Sequence, residues 1–449
     1  MTTDTPTTGE EPGAFDLARD AAPGLPLTLV ERWRASGRTA ADARRLLGAH
    51  VTTGYSVVSD SAGLTRLSRS LGLLEVLALI DGPKRVLHAY GIGVGGRAMG
   101  VWAADNAQLF HPATTDAGTL LSALLRAQDE IGRTCGIRVG IGVHHGDYYD
   151  LDGGLYGAEA DAVEHLVENH TEGGEIVVTE AVAERLPAGH GFVLRRKDGH
   201  GFVLRRKDGH GFVLRRKDGH GFVLRRKDAH DGQARLLGAV YRVLDGPRAG
   251  DAATDGGWYP IPYPAAFYED LLRFDPRDAG SAAALAAKHL RERTVVLAER
   301  GEPGAAADVP EVALLTGLDL SAHMREIGLR LLPAEGAVEV KVAGPLAIYL
   351  FDDPGAAVPF ALELRAALAE AGMTCRIGLD SGPVLSGRTP DGGRDVAGAP
   401  VNQASKMAQD LAAPGVVCLS EAVAAQAGLG GFTCVQHTVS GVDLTFYQG

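Results

Sequence analysis

The chain of 449 residues has few cysteines, few aromatic side chains and no long apolar run. Its four cysteines stand far apart, without the close spacing of a zinc site, so we expect buried reduced thiols. No stretch approaches the ~20 apolar residues of a membrane helix, and the N-terminus lacks the basic start and apolar core of a signal peptide. These absences predict a cytoplasmic protein that does not enter a membrane.

Basic charge is also in deficit. The chain carries 44 Lys and Arg against 56 Asp and Glu, a formal net charge of −12. This excess of acid argues against general binding to nucleic acids or to anionic membranes. The hydrophobic content of 45% is ordinary for a globular protein, and the length allows two or three domains.

The two halves of the chain repeat one pattern. Thr134-Cys-Gly-Ile matches Thr374-Cys-Arg-Ile, and Glu180-Ala-Val182 matches Glu421-Ala-Val423. Gly157 and Gly398 are separated by the same number of residues as the two Glu-Ala-Val runs. The sequence therefore predicts two diverged copies of one domain, each with the strand and helix order of a ferredoxin-like α/β sandwich.

Composition and periodicity divide the chain into five predicted parts. They are a disordered N-terminus over 1–24, a helical lead-in over 25–53, a first domain over 54–245, a linker over 246–280 and a second domain over 281–449. The aromatic residues of the linker are expected to cover an exposed edge of a core.

Five predicted elements lie around the candidate site. In the first copy, the pattern predicts a helix over 64–80 followed by hairpin strands over 85–90 and 98–103. In the second copy, it predicts a short strand over 312–315 and then a helix over 322–332.

One decapeptide, Gly-His-Gly-Phe-Val-Leu-Arg-Arg-Lys-Asp, occurs four times without change over 189–228. Each unit holds one short strand, so a single unit suffices for the sheet and the others form extra ribbon or loop. Each unit also has two arginines and one lysine against one aspartate. The array is therefore either a tolerated loop expansion or a contact for a polyanion or an acidic protein.

Three motifs in the second half carry a family resemblance. Asp395-Val-Ala-Gly-Ala-Pro-Val-Asn-Gln-Ala-Ser-Lys406 resembles the Asp-x-x-Gly-x-x-Val-Asn-x-Ala-Ser-Arg segment of class III adenylyl and guanylyl cyclases, with Lys406 in place of arginine. Lys341-Val-Ala-Gly344 and Arg376-Ile-Gly-Leu-Asp-Ser-Gly382 resemble two further motifs of that family in the same order. The resemblance implies two cyclase-like domains that pair head to tail within one chain as a pseudo-heterodimer. Whether the chain also forms a homo-oligomer stays open.

The resemblance implies roles for four residues of the second half. Lys341 and Asp395 correspond to the pair that reads adenine, Asn402 to the ribose ligand and Lys406 to the triphosphate ligand. Their nucleotide-binding roles have a structural alternative, in which Asn402 caps a helix and Asp395 closes a turn.

The first half departs from the family at these positions. The equivalents of Asp395, Asn402 and Lys406 are Gly154, Asp161 and His165, so the amide and the permanent cation are missing. One of the two composite sites is therefore predicted to be lost.

The metal carboxylates of the family are incompletely matched. Tyr55-Ser-Val-Val-Ser-Asp-Ser-Ala-Gly-Leu-Thr65 resembles the first metal motif and puts its aspartate on Asp60. The second position aligns with Gly96 or Arg97 in the first half and with Pro345 in the second, and neither supplies an acid. Arg97 is predicted to take the place of the ion and to pair with phosphate. No cofactor is required by this prediction, although Mg²⁺ or Mn²⁺ could accompany ATP.

These observations predict a purine-nucleotide-binding sensor or regulator, of adenine type, on a catalytically degenerate cyclase scaffold. Two alternatives stay open. The first is a slow or unusually metallated adenylyl cyclase that makes cyclic AMP, and the second is an interaction scaffold that acts through the basic array.

Overall fold

The computed structural model describes residues 25–67, 71–100, 106–197, 237–253, 258–301, 309–428, 430–439 and 442–449. The predicted disorder over 1–24 and the last three decapeptide units lie outside this range. Among the described helices, none combines the length and apolar character that crossing a bilayer requires.

The first half alternates strands and helices around one sheet. Its helices are α1 (Leu27–Arg34), α2 (Ala40–Gly48), α3 (Leu64–Leu67), α4 (Leu73–Gly93), α5 (Ala117–Thr134), α6 (Ala158–His170) and α7 (Glu180–Ala183). Its strands are β1 (Val51–Ser61), β2 (Arg97–Ala98), β3 (Ala107–Pro112), β4 (Val139–Leu151), β5 (Gly154–Tyr156), β6 (Ile176–Thr179), β7 (Val193–Arg196) and β8 (Val240–Asp245).

The second half follows the same order. Its helices are α8 (Ala265–Leu271), α9 (Ala279–His289), α10 (Pro310–Leu331), α11 (Pro354–Glu370), α12 (Ala399–Lys406), extended by a π-helical turn over Met407–Leu411, and α13 (Glu421–Ala427). Its strands are β9 (Leu290–Arg300), β10 (Ala337–Ala343), β11 (Leu346–Phe351), β12 (Cys375–Arg388), β13 (Arg394–Ala397), β14 (Val417–Ser420), β15 (Thr433–Val439) and β16 (Val442–Gln448).

The two sheets have the same topology. The first runs β2-β3-β1-β4-β6-β8-β7 and the second β10-β11-β9-β12-β14-β16-β15, with β5 and β13 added to β4 and β12. In each sheet one central pair is parallel, β4 with β6 and β12 with β14, and the other pairs along these two paths are antiparallel. The prediction of two tandem α+β copies is confirmed.

Three local predictions are wrong. Residues 85–90 are not a hairpin strand, because they continue α4, which tolerates Pro83 within it and ends at Gly93. The helix predicted over 64–80 is divided between α3 and α4. Residues 312–315 are not a strand either, since they belong to the first turns of α10, which begins with Pro310 in the first turn, where a missing N–H costs nothing.

Each half packs against a helix that comes before the first strand of the other half. The second half contacts α1, which precedes β1, and the first half contacts α8, which precedes β9. Leu29, Val30 and Trp33 of α1 share one buried core cluster with Leu315 and Leu318 of α10 in the second half. The lead-in over 25–53 precedes the first domain in the chain, but its first helix packs on the second half. Arg34 strengthens the contact, with its guanidinium 2.5 Å from carboxylate oxygens of Asp319 and Glu326.

The linker makes the reciprocal contact. Phe267 and Leu271 of α8 form a buried cluster with Leu74, Leu77 and Ile80 of α4 in the first half. The expectation that linker aromatics cover a core edge agrees with this packing.

A buried carboxylate anchors the same linker. Asp81 of α4 accepts hydrogen bonds from the hydroxyls of Tyr259 (3.0 Å) and Tyr268 (3.3 Å) and pairs with Arg85 at 2.7 Å. Burial, and then the Asp81 charge, raise the pKa of Tyr259 well above its usual value, so its hydroxyl stays a donor. The lead-in and the linker thus clamp the two halves together.

Trp33→Ala should lower the free energy of unfolding by about 3–5 kcal/mol, because a fully buried indole leaves a cavity in the core that joins the halves. Chemical unfolding followed by circular dichroism measures the change. Trp258→Ala is the matched control, since Trp258 is 51% exposed and its loss should change stability by no more than about 0.5 kcal/mol. Equal effects of the two substitutions would contradict the clamp.

Candidate functional site

Lys341 and Asp395 form an ion pair on the second sheet. Lys341 Nζ lies 2.6 Å from Asp395 Oδ1, which also accepts a hydrogen bond of 2.8 Å from the backbone N–H of Val396. The side chains are 27% and 17% exposed, so the pair is partly withdrawn from water but remains open to it on one side. Such a pair offers a cationic donor and an anionic acceptor side by side.

A strand irregularity aims Lys341 at this position. The register of β10 against β11 shifts between Glu339 and Lys341, so that Lys341 stands opposite Ile348. Residues opposite each other in an antiparallel pair point to the same face. A bulge of this kind is a common way to redirect a side chain.

Helix α12 packs on that same face. Ala404 of α12 shares a buried cluster with Ile348, Val384 and Val396. The helix lies directly on β12, because a Cβ atom on Gly378 would come within 2.1 Å of the Ala404 carbonyl oxygen. The glycine of the Arg-Ile-Gly motif is therefore required by a close helix–strand approach.

Asn402 and Lys406 lie on α12. Asn402 is exposed, in the first half of the helix, and Lys406 is half-buried at its end. The N-cap residue is Gly398, with no side-chain cap, and Asp395 lies within β13 opposite Gly387. The alternative roles of Asn402 as a cap and Asp395 as a turn residue are therefore wrong.

Two cavities border Asp395 and Arg394. The smaller, about 50 Å³, lies between the Lys341–Asp395 pair and the linker residues Pro260–Pro262, with Gly100 of the first half at its wall. The larger, about 330 Å³, is lined by the apolar Val338, Val340 and Leu350 and by the polar Arg293, Asp352 and Ser386. Its volume lies at the lower end of the range for small-molecule sites.

The first half contributes Asp60 and Arg97 from separate strands. Asp60 is half-buried in β1, opposite Gly140 of β4. Arg97 lies on the edge strand β2, where its guanidinium donates to Asp150 Oδ2 at 2.5 Å and stands 5.0 Å above the Phe110 ring. Arg97 is thus already engaged with groups of its own half.

The sheet register corrects the alignment that put a metal position on Gly96 or Arg97. Ala107 pairs with Ser59 in the first sheet, as Ala347 pairs with Ala298 in the second. Ser59 of β1 also pairs with Ile141 of β4, as Ala298 of β9 pairs with Ile377 of β12.

The corrected position follows from counting along the chain. Arg97, opposite Phe110, corresponds to Val338, opposite Leu350. The residue two before Ala107 therefore corresponds to Pro345, and it is Asp105, which lies outside the described residues. The error has a simple cause: α4 continues to Gly93, so the hairpin comes later than predicted.

The described residues do not form a metal site by themselves. In the described ranges, no group of three or more His, Cys, Asp or Glu side chains is arranged to hold an ion. Asp60 alone is a poor replacement for the waters of a divalent cation, which prefers several oxygen ligands. A metal therefore does not fit the described part of the site.

The corresponding place in the first half is acidic. Glu159 accepts a hydrogen bond of 2.6 Å from the Asp147 N–H and lies 3.7 Å from His144 Nε2. Burial raises the pKa of Glu159, but the contacts with His144 and the Asp147 N–H lower it more, so that the group stays ionised. Asp161 on the same helix adds a second acidic side chain at this place.

One buried position escaped the sequence reasoning. His144 Nδ1 is 2.8 Å from Thr179 Oγ1. In the second half Asp380 makes the corresponding bond with Ser420; burial raises the pKa of Asp380, and bonds from Ser420 and the Ser381 backbone offset only part of this. The two residues occupy matching places in the duplicated motif, and that signal could have found them.

Comparison with known proteins gives structural likeness only. No protein-family model and no curated protein matches the chain. Similar solved structures are class III cyclases and cyclase-like proteins. A class III adenylyl cyclase-like ATP-binding protein from Pseudomonas aeruginosa is 14% identical and covers 83% of this chain and 84% of its own, with a TM-score of 0.47.

Two others match 35% of this chain. The catalytic core of a rhodopsin-guanylyl cyclase with converted specificity, in complex with ATPalphaS, is 23% identical over 97% of its length, with a TM-score of 0.29. The guanylate cyclase domain of RhGC from Catenaria anguillulae, in complex with GTP, is 21% identical over 94% of its length, also with a TM-score of 0.29.

Arg97→Asp should leave the affinity for Mn²⁺ unchanged, because the register places residue 97 at the start of the edge strand and not at the hairpin turn. Titration calorimetry with MnCl₂ measures the affinity. Arg97→Ala is the control for loss of the Asp150 ion pair. A gain in Mn²⁺ affinity in the aspartate variant alone would restore the original alignment.

Proposed function

We propose that this protein binds a purine nucleotide of adenine type at a composite site between its two halves, as a sensor or regulator. The second half supplies Lys341, Asp395, Asn402 and Lys406, and the first half supplies Asp60. The observation that carries the proposal is the half-buried Lys341–Asp395 pair, 2.6 Å apart. Both residues border the smaller cavity, together with Gly100 of the first half, and Asp395 also borders the larger one.

The chemistry of the pair suits adenine. Asp395 Oδ1 can accept a hydrogen bond from the exocyclic amine, and Lys341 Nζ can donate to a ring nitrogen. Guanine has a carbonyl oxygen in place of that amine, which would face the Asp395 carboxylate without a proton between them. Without a ligand the two side chains satisfy each other, so a base exchanges one ion pair for two hydrogen bonds.

The remaining residues support the same orientation. Asn402 is exposed on α12, on the face of the sheet that carries Lys341, and an amide can both donate to and accept from a ribose hydroxyl. Lys406, one helical turn later, brings a cation for phosphate. Lysine acts as a point charge and lacks the bidentate fork of arginine, which favours binding over transition-state stabilisation.

A second candidate is an adenylyl cyclase that forms cyclic AMP. The expectation of a pseudoenzyme rested on the missing second carboxylate and on Lys406. Counting back from Ala107 aligns Asp105 with Pro345, so the sequence offers a second carboxylate, and this supports the second candidate. The scaffold alternative, in which the basic array binds a polyanion, stays a prediction that salt-dependent binding would test.

Asp395→Ala should weaken ATP binding by roughly 5- to 150-fold, since leaving a buried partner unpaired costs about 1–3 kcal/mol. Titration calorimetry with ATP and GTP measures the affinities, and the ratio of the two should fall in the variant. Glu370→Ala, an exposed acid at the end of α11, is the matched control. Unchanged ATP affinity in a folded Asp395→Ala variant would remove this pair from the site.

The second candidate is decided by product formation. If the chain cyclises ATP, cyclic AMP accumulates with Mn²⁺ and disappears in both Asp60→Ala and Asp105→Ala, while ATP binding persists. Mass spectrometry of the reaction detects the product. Wild-type protein that binds ATP and forms no cyclic AMP supports binding without turnover.

A further inference from the structure

The first decapeptide unit supplies the edge strand of the first sheet. Strand β7, within Gly189–Asp198, pairs antiparallel with β8, with Leu194 opposite Val243 and Arg195 opposite Arg242. It is the last strand on that side of the sheet. The unit therefore has a defined structural place, although the same ten residues occur four times in the sequence.

Side chains within the unit hold it there. Phe192 is buried, with 7% exposure, in the main core cluster of the first half, and Leu194 packs against that cluster. Lys197 Nζ lies 2.7 Å from Glu175 Oε2, and Glu175 is itself buried. Gly189 and Gly191 both have a φ of +73°, a conformation that favours glycine.

The other three units carry all of these residues at the same spacing. Phe202, Phe212 and Phe222 repeat Phe192, and the glycines, leucines and lysines recur with them. Each unit therefore has the side chains that contact the core and Glu175 in the first unit. One contact is specific to the first: the His190 N–H donates to the Pro187 carbonyl at 3.1 Å.

We propose that the four units are interchangeable at the β7 position, so that the protein exists as a set of strand isomers. Exchange lengthens the loop on one side of the strand by ten residues for each unit and shortens the loop on the other side. Loop closure depends weakly on length, about a threefold change in population for each doubling. No unit is therefore strongly preferred by chain entropy.

Charge favours this internal exchange over pairing of β7 with a second copy of the chain. Arg195, Arg196 and Lys197 are exposed along the edge. Two such edges side by side would bring like charges together across the strands.

Substitution of the first unit alone separates the possibilities. In the full chain, Phe192→Asp with Leu194→Asp should shift the melting temperature by less than about 2 °C, because another unit takes the place. In a chain lacking Gly199–Asp228, the same double change should lower it by about 6–20 °C. The deletion alone is the control and should melt near the wild type. An equally large drop in the full chain would overturn the proposal.

Cysteine cross-linking locates the strand directly. Arg242→Cys is combined with either Arg195→Cys or Arg205→Cys, the same position in the second unit, and oxidised in the folded protein. Residues opposite each other in an antiparallel pair are close enough for a disulfide. We expect cross-links in both variants and none in Arg242→Cys alone, by mass spectrometry. A cross-link confined to Arg195→Cys would show that only the first unit occupies β7.

Discussion

The exchange of helices between the halves is the constraint on which the rest of the structure depends. Each half has its own sheet, but its long helix after the first strand is covered by helices that precede the other half's sheet. Trp33 closes one contact, and Tyr259 and Tyr268, bound to Asp81, close the other. Because both contacts are buried, they fix the distance between the two sheets and hence the width of any site between them.

Within this near-symmetric frame, the polar residues are asymmetric. The second half has a lysine–aspartate pair and a helix that ends in a cation, whereas the first half has Glu159 and Asp161 at the matching helix. The backbone topology is the same in both. What differs is the sign of the charge at the two matching helices, which is why the proposed nucleotide site uses the second half's Lys341 and Lys406.

The sequence was sufficient for the duplicated order of strands and helices, since apolar periodicity and the repeated Glu-Ala-Val runs are local signals. The family resemblance also predicted that Lys341 and Asp395 act together, and the two side chains form an ion pair. The sequence failed where tertiary packing overrides local preference. Helix α4 continues through Pro83 over residues predicted as a strand, because Leu77, Ile80 and Leu87 on it are buried in core clusters. That failure displaced the hairpin and, with it, the predicted metal position.

Covalent tandem linkage has a consequence for how such sites diverge. In a symmetric dimer of identical chains, every substitution appears in both composite sites, so neither can be altered alone. Here the two halves are encoded separately. Glu159 and Asp161 can therefore stand at one place while Lys341 and Asp395 stand in the other half. In a single chain whose halves are joined by the linker over 246–280, the two matching places are encoded by different residues, so a substitution at one leaves the other unchanged.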